Sequence, residues 1–101
     1  MRGDDTPEDD ATGDGDTRAV RTWLVERDYD DRGLVSVVYA TPDGERALRR
    51  ELSARLLERD PTTAAREVPV ADLEPVPEVD RERYRREAAR VRENHDPDEE
   101  I

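Results

Sequence analysis

The side chains that could do chemistry are few and poorly placed for it. The chain has one histidine, His95, and two serines, Ser36 and Ser53. A hydroxyl nucleophile needs a neighbouring base oriented by a third group, and nothing in the spacing supplies one. The 28 carboxylates are too many to single out an acid–base pair. Of the five glycines only Gly13 and Gly15 are close together, and they do not form a phosphate loop. The chain therefore reads as a non-enzymatic protein with no catalytic residues and no cofactor.

Two runs invite a metal reading. Asp28-Tyr29-Asp30-Asp31-Arg32-Gly33 matches the first, third and sixth positions of a calcium loop. Arg32 stands at the fifth position, however, and Tyr39 at the twelfth, where a bidentate Glu belongs. The run reads better as a solvated hairpin loop. His95-Asp96-Pro97-Asp98-Glu99-Glu100 offers an imidazole and four carboxylates, but a metal site needs fixed geometry and outer-shell support. No metal ligands are assigned.

Nucleic acid is the alternative binding reading. Six arginines lie between Arg81 and Arg92, and helical spacing places Arg81, Arg85 and Arg92 on one stripe beside Tyr84. Such a stripe can contact phosphates and stack on bases. The competing reading is a salt-bridged wet face, with Arg83–Glu87 and Glu82–Arg86 as helical pairs. The salt-bridged reading is preferred, because residues 18–95 carry a net charge of only −1 and show no basic excess.

The elements that position these residues centre on Val20 to Thr41. Two β-rich runs flank Asp28–Gly33, the signature of an antiparallel hairpin, and Gly33 can supply a positive φ. Simple alternation puts Trp23, Val25, Val35, Val37 and Tyr39 on one face. It puts Val20, Leu24, Leu34, Val38 and Ala40 on the other. Both faces are apolar, so both require cover, from the chain's own helices or from a second copy.

Thr41-Pro42-Asp43-Gly44-Glu45-Arg46 follows as a strong turn. Residues 45–59 are good helix formers with Leu48, Leu52 and Leu56 four apart, which favours a helix. The alternative is a third strand over residues 45–52. Asp60-Pro61 signals a short helix over Pro61 to Arg66. Val68-Pro69-Val70 suits a short edge strand or an extended connector. Asp80 can cap a last helix reaching Asn94, with a thin apolar stripe of Tyr84, Ala88 and Val91.

Composition sets the outer limits. The chain has 101 residues, a net charge of −11, no Cys and no Lys; all 17 basic residues are Arg. Residues 1–17 sum to −6 and residues 96–101 to −4, so both ends are expected to be acidic tails around a domain over 18–95. Without Cys there is neither a disulfide nor a thiolate metal cage. No apolar run approaches the ~20 residues needed to span a bilayer, and the expected location is cytoplasmic. Excess carboxylate with no Lys fits a protein from concentrated salt, where screening reduces carboxylate repulsion.

Two runs, Arg21-Thr22-Trp23-Leu24-Val25-Glu26-Arg27 and Val38-Tyr39-Ala40-Thr41-Pro42-Asp43-Gly44-Glu45-Arg46, resemble a group of small uncharacterised haloarchaeal proteins. A Tyr-containing Arg/Glu/Ala helix and His95-Asp96-Pro97-Asp98 extend the resemblance over most of the chain beyond residue 17. In similar sequences the segment after Pro-Asp-Gly is more strand-like. No activity comes with the group.

The expected fold is a small single α+β domain. An antiparallel β-hairpin or three-stranded meander is packed by a C-terminal helix and one or two further helices. The expected role is a non-catalytic interaction or regulatory module, with self-association as a homodimer in view and no membrane partner. Its candidate contact residues are Trp23, Leu24, Leu34, Val38 and Tyr84.

Overall fold

The computed structural model describes residues 18–59 and 61–101. Strands β1 (Ala19–Tyr29) and β2 (Leu34–Ala40) form the expected hairpin. Gly33 closes its loop with φ of 85°. The Asp30 carboxylate accepts from the backbone N–H of Arg32 at 2.9 Å and of Leu34 at 3.0 Å. The Leu34 bond is the main cause holding Asp30 below the usual carboxylate range. That carboxylate therefore organises the turn.

The next segment resolves the choice between helix and strand. Residues Arg46–Ser53 form strand β3, and only Ala54–Arg59 form a helix, α1. Helix propensity is outweighed here because the Pro-Asp-Gly turn returns the chain antiparallel to β2. Leu48, Arg50 and Leu52 then stand opposite Tyr39, Val37 and Val35. The helix begins where Ser53 Oγ accepts from Leu56 N–H at 3.1 Å, an N-terminal cap.

The short helix expected over Pro61–Arg66 is not formed. Residues Ala65–Pro69 instead make strand β4 along the outer side of β1. Burial of Ala65 and Val68, and the Thr22 hydroxyl donating to the Arg66 carbonyl at 2.9 Å, outweigh the local start signal. Asp60, its expected cap, lies outside the described residues. After a single 3-10 turn, Glu74–Pro75 form the two-residue strand β5 beside Arg46 and Ala47. The last helix, α2, spans Glu78–Asn94. It starts two residues before Asp80, behind Pro77, and Asp80 N–H bonds to the Pro77 carbonyl at 2.9 Å. The sheet order is β4-β1-β2-β3-β5, and every neighbouring pair is antiparallel.

The faces of the hairpin are not those of simple alternation. Near the loop Tyr29 pairs with Val35, but beyond Val25 the register slips so that Leu24 pairs with Tyr39 and Trp23 with Ala40. The irregularity at Val25 is a bulge, which places two residues against one and reverses the pairing parity beyond it. Trp23 and Val25 therefore share a core with Val38, Ala40, Ala65 and Val76 under the Tyr84, Ala88 and Val91 stripe of α2. Leu24 joins Val35, Val37, Tyr39 and Leu52 on the opposite face, with Leu57 of α1 beside them.

Residues 97–101 do not behave as a free tail. Ala64 N–H bonds to the Glu99 carbonyl at 2.8 Å, Ala65 N–H to Pro97 at 2.9 Å, and Ile101 N–H to Thr62 at 3.0 Å. Ile101 packs against both cores. This segment, expected as an acidic tail, thus bonds the run that leads into β4 and the first residue of that strand.

Candidate interaction site

Four of the five residues proposed for partner contact lie inside the chain's own core. Trp23, Leu24, Val38 and Tyr84 are each less than a tenth exposed, and Leu34 is half-buried. The thin stripe of α2 is matched to the sheet, and on the other face Leu57 of α1 and Ile101 pack against the core. Tyr39 reaches across that face to donate to the Thr63 carbonyl at 2.8 Å. Burial raises the pKa of this phenol, while the Thr63 contact and nearby Arg66 and Arg50 oppose the rise. Among the described residues, the large apolar side chains left outside are Tyr29, Leu56 and Val79, which lie far apart in the sequence and outside both core clusters.

The arginine stripe of α2 is largely engaged. Arg81 Nε donates to the Val76 carbonyl at 2.9 Å, Arg85 lies 3.9 Å from Glu82, and Arg92 is exposed. Around them Arg86 pairs with Glu82 at 3.0 Å, as the spacing predicts. Arg83 departs from the expected Glu87 pair. It binds Glu26 at 3.3 Å and Asp80 at 3.1 Å and stacks 4.8 Å over the Tyr84 ring. Glu87 takes Arg90 instead, at 2.7 Å. The Tyr84 hydroxyl donates to the same Glu26 carboxylate at 3.1 Å, which ties α2 to the strand just past the bulge.

A cleft of about 340 Å³ opens beside the start of α2, between Ala47, Arg49, Val76, Pro77, Asp80 and Tyr84. Neither Ser nor His lines it. His95 lies elsewhere, with Nδ1 at 2.9 Å from Glu99, and this contact is the main cause that holds Glu99 below its usual range. Ser53 caps α1 and Ser36 sits within β2, so the geometry assembles no nucleophile–base pair from them.

The outer edge of β3 is different in kind. Its first residues are held twice. Ala47 pairs with Glu74, and Val76 N–H bonds to the Glu45 carbonyl at 2.9 Å. The adjoining turn is locked by Asp43, which accepts from the Thr41 hydroxyl at 2.6 Å and from Glu45 N–H at 2.9 Å. Those two bonds, Thr41 first, lower the Asp43 pKa. Gly44 has φ of 75°, and a Cβ there would stand 2.3 Å from the Arg81 carbonyl oxygen. Only glycine lets the turn lie this close to α2. From Leu48 onward the cover ends, and among the described residues no strand pairs with that side of β3.

Backbone groups alternate sides along a strand. Glu45 points outward to Val76, and Arg46 points inward to Thr41 N–H at 2.9 Å. Arg49, Glu51 and Ser53 therefore aim their N–H and C=O groups away from the sheet. Sequence reasoning missed this site because it preferred a helix here over the alternative third strand. The signal that could have found it is the Pro-Asp-Gly turn followed by alternating Leu48, Arg50 and Leu52.

Neither a curated protein nor a solved structure matches the chain. No helix among the described residues is long and apolar enough to cross a membrane. A family model does match, over residues 16–101, which takes in every described strand and helix. The chain thus belongs to DUF7967, a family of unknown function.

Proposed function

We propose that the chain is a non-catalytic protein-interaction module, and that its working element is the open edge of β3. The observation that carries this reading is the run of outward backbone groups at Arg49, Glu51 and Ser53, beside a cleft and, among the described residues, without a covering strand. An unpaired edge is a template for an added strand, with main-chain bonds giving affinity and alternating side chains giving selectivity. The mixed charges of Arg49, Arg50 and Glu51 keep such an edge from indiscriminate association.

Arg49→Pro tests this reading. Proline removes one outward N–H and no bond to β2, so the fold is retained while strand addition is blocked. With tagged chain as bait, proteins held by the natural sequence and lost with Arg49→Pro support an edge-binding module. An identical set on both baits rejects it.

A second reading rests on a specific feature of the sheet. The inter-strand pairs place Arg27, Val37 and Arg50 in one row, and strand alternation puts Arg46 and Arg66 on the same face. The described strands contribute no acidic side chain to that face, and of its arginines Arg27 already donates to the Ile101 carbonyl. This surface, rather than the Arg81, Arg85 and Arg92 stripe, is the better nucleic-acid candidate. Replacing Arg46, Arg50 and Arg66 with Gln should remove any retention of single-stranded RNA, and unchanged retention rejects the reading.

A further inference from the structure

We infer that the strand added to β3 is β3 of a second copy, in one defined antiparallel register centred on Arg50. The inference rests on the edge-binding reading and names its partner. A two-fold interface pairs the same surface with itself, so a strand can serve only if its sequence is complementary to its own reverse. Outward-facing residues must also pair with outward-facing residues, because they carry the free N–H and C=O groups. On the open stretch these are Arg49, Glu51 and Ser53.

With the axis at Arg50, Arg49 faces Glu51 of the second copy, and Glu51 faces Arg49. Both are opposite-charge cross-strand pairs. On the other face Leu48 stands against Leu52 of the second copy, and the reverse, which extends the apolar row of Leu24, Tyr39 and Leu48 across the junction. The paired stretch Leu48–Leu52 lies between the two features that flank the free edge, β5 at Arg46–Ala47 and α1 from Ala54.

Neighbouring registers are worse. An axis at Glu51 sets Glu51 against itself and Leu52 against Arg50. An axis at Arg49 sets Arg49 against itself and directs Glu51 to Ala47, which β5 already covers. The chosen register forms about four new backbone hydrogen bonds and makes one sheet of two. Its one unfavourable pair is Arg50 against Arg50, whose long stems let the charged heads diverge.

The absence of Cys makes the test clean. Across the new junction Arg50 would occupy a non-hydrogen-bonded site, where opposed Cα atoms are ~4.5 Å apart and within disulfide range. Arg50→Cys in the full chain, treated with diamide, should give a covalent dimer. Arg46→Cys, four residues from the axis on the same strand and face, should not, and adding Arg49→Pro to Arg50→Cys should abolish the cross-link.

A second measurement does not depend on cysteine. By sedimentation, Glu51→Arg should weaken the dimer about tenfold by placing like charges at both pairs. The double exchange Arg49→Glu with Glu51→Arg should restore it. A chain that is monomeric by light scattering, with no Arg50→Cys cross-link, overturns self-pairing. If Arg49→Pro still removes captured proteins, the edge reading survives with another partner. A dimer that persists with Arg49→Pro and leaves Arg50→Cys uncrosslinked overturns the inference and the edge as the site of association.

Discussion

The two outer edges of this sheet are covered to different extents. At the β4 edge, residues 97–101 return to bond residues 62–65, which covers the first residue of the strand, and Pro69, which has no N–H, ends it. At the β3 edge the closing element, β5, is two residues long, and among the described residues no strand pairs with the rest of that side. The same backbone chemistry operates at both. Beyond its bonded end β4 keeps one outward N–H, at Glu67, whereas β3 keeps three, at Arg49, Glu51 and Ser53, and that difference locates the proposed function.

The comparison can be broken first at the held end of β3. Gly44→Ala should destabilise the fold by at least about 3 kcal/mol, because a positive φ and a clash with the Arg81 carbonyl act together. Urea unfolding measures it. A loss under 1 kcal/mol would mean that the turn does not depend on its close approach to α2.

Ending the chain after Asp96 attacks the β4 edge. Three backbone bonds and the Ile101 contact with both cores are lost. The expected cost is about 2–3 kcal/mol, with new self-association through β4. Unfolding and sedimentation of the shortened chain check both parts. Unchanged stability would show that the two edges are equally open.

Arg49→Pro sharpens the contrast from the other side. The monomer's stability should change by less than about 0.5 kcal/mol, since no internal ladder bond is removed. A loss of several kcal/mol would place the Arg49 N–H inside the fold and remove the open edge.

The smallest effect is a pH dependence shared by both edges. Asp43 at the β3 turn and Glu99 at the β4 edge have lowered folded pKa values, from the Thr41 bond and the His95 contact first. A lowered carboxylate pKa contributes stability that is complete above the ordinary value near ~4. That contribution is lost as pH falls through the folded value. Carboxyl titration by NMR should place both groups below ordinary Asp and Glu. Asp43→Asn should flatten part of the acid decline, and an unchanged decline would exclude Asp43 as a contributor.

Much of the fold was readable from local chemistry. The hairpin loop followed from Gly33 and its polar neighbours, and the turn at Asp43-Gly44 from its type. The stripe Tyr84, Ala88 and Val91 correctly gave the buried side of α2. The candidate site was not readable, because it depends on what a neighbouring strand leaves uncovered. Trp23, Leu24 and Val38 were expected at a partner surface because two apolar faces of a hairpin give no sign of how many elements will cover them.

The sequence by itself determined the turns, the strand-forming runs, the last helix and the acidic balance, since each depends on a residue's own dihedral preferences or charge. Tertiary structure decided the rest. Residues 46–53 became a strand because pairing with β2 outweighs a fraction of a kcal/mol per residue of helix preference. The bulge at Val25 reassigned the faces, the return of residues 97–101 bonded the start of β4, and the short β5 left most of the outer side of β3 without a strand beside it among the described residues. These outcomes depend on backbone groups distant in sequence finding partners, which no local pattern records.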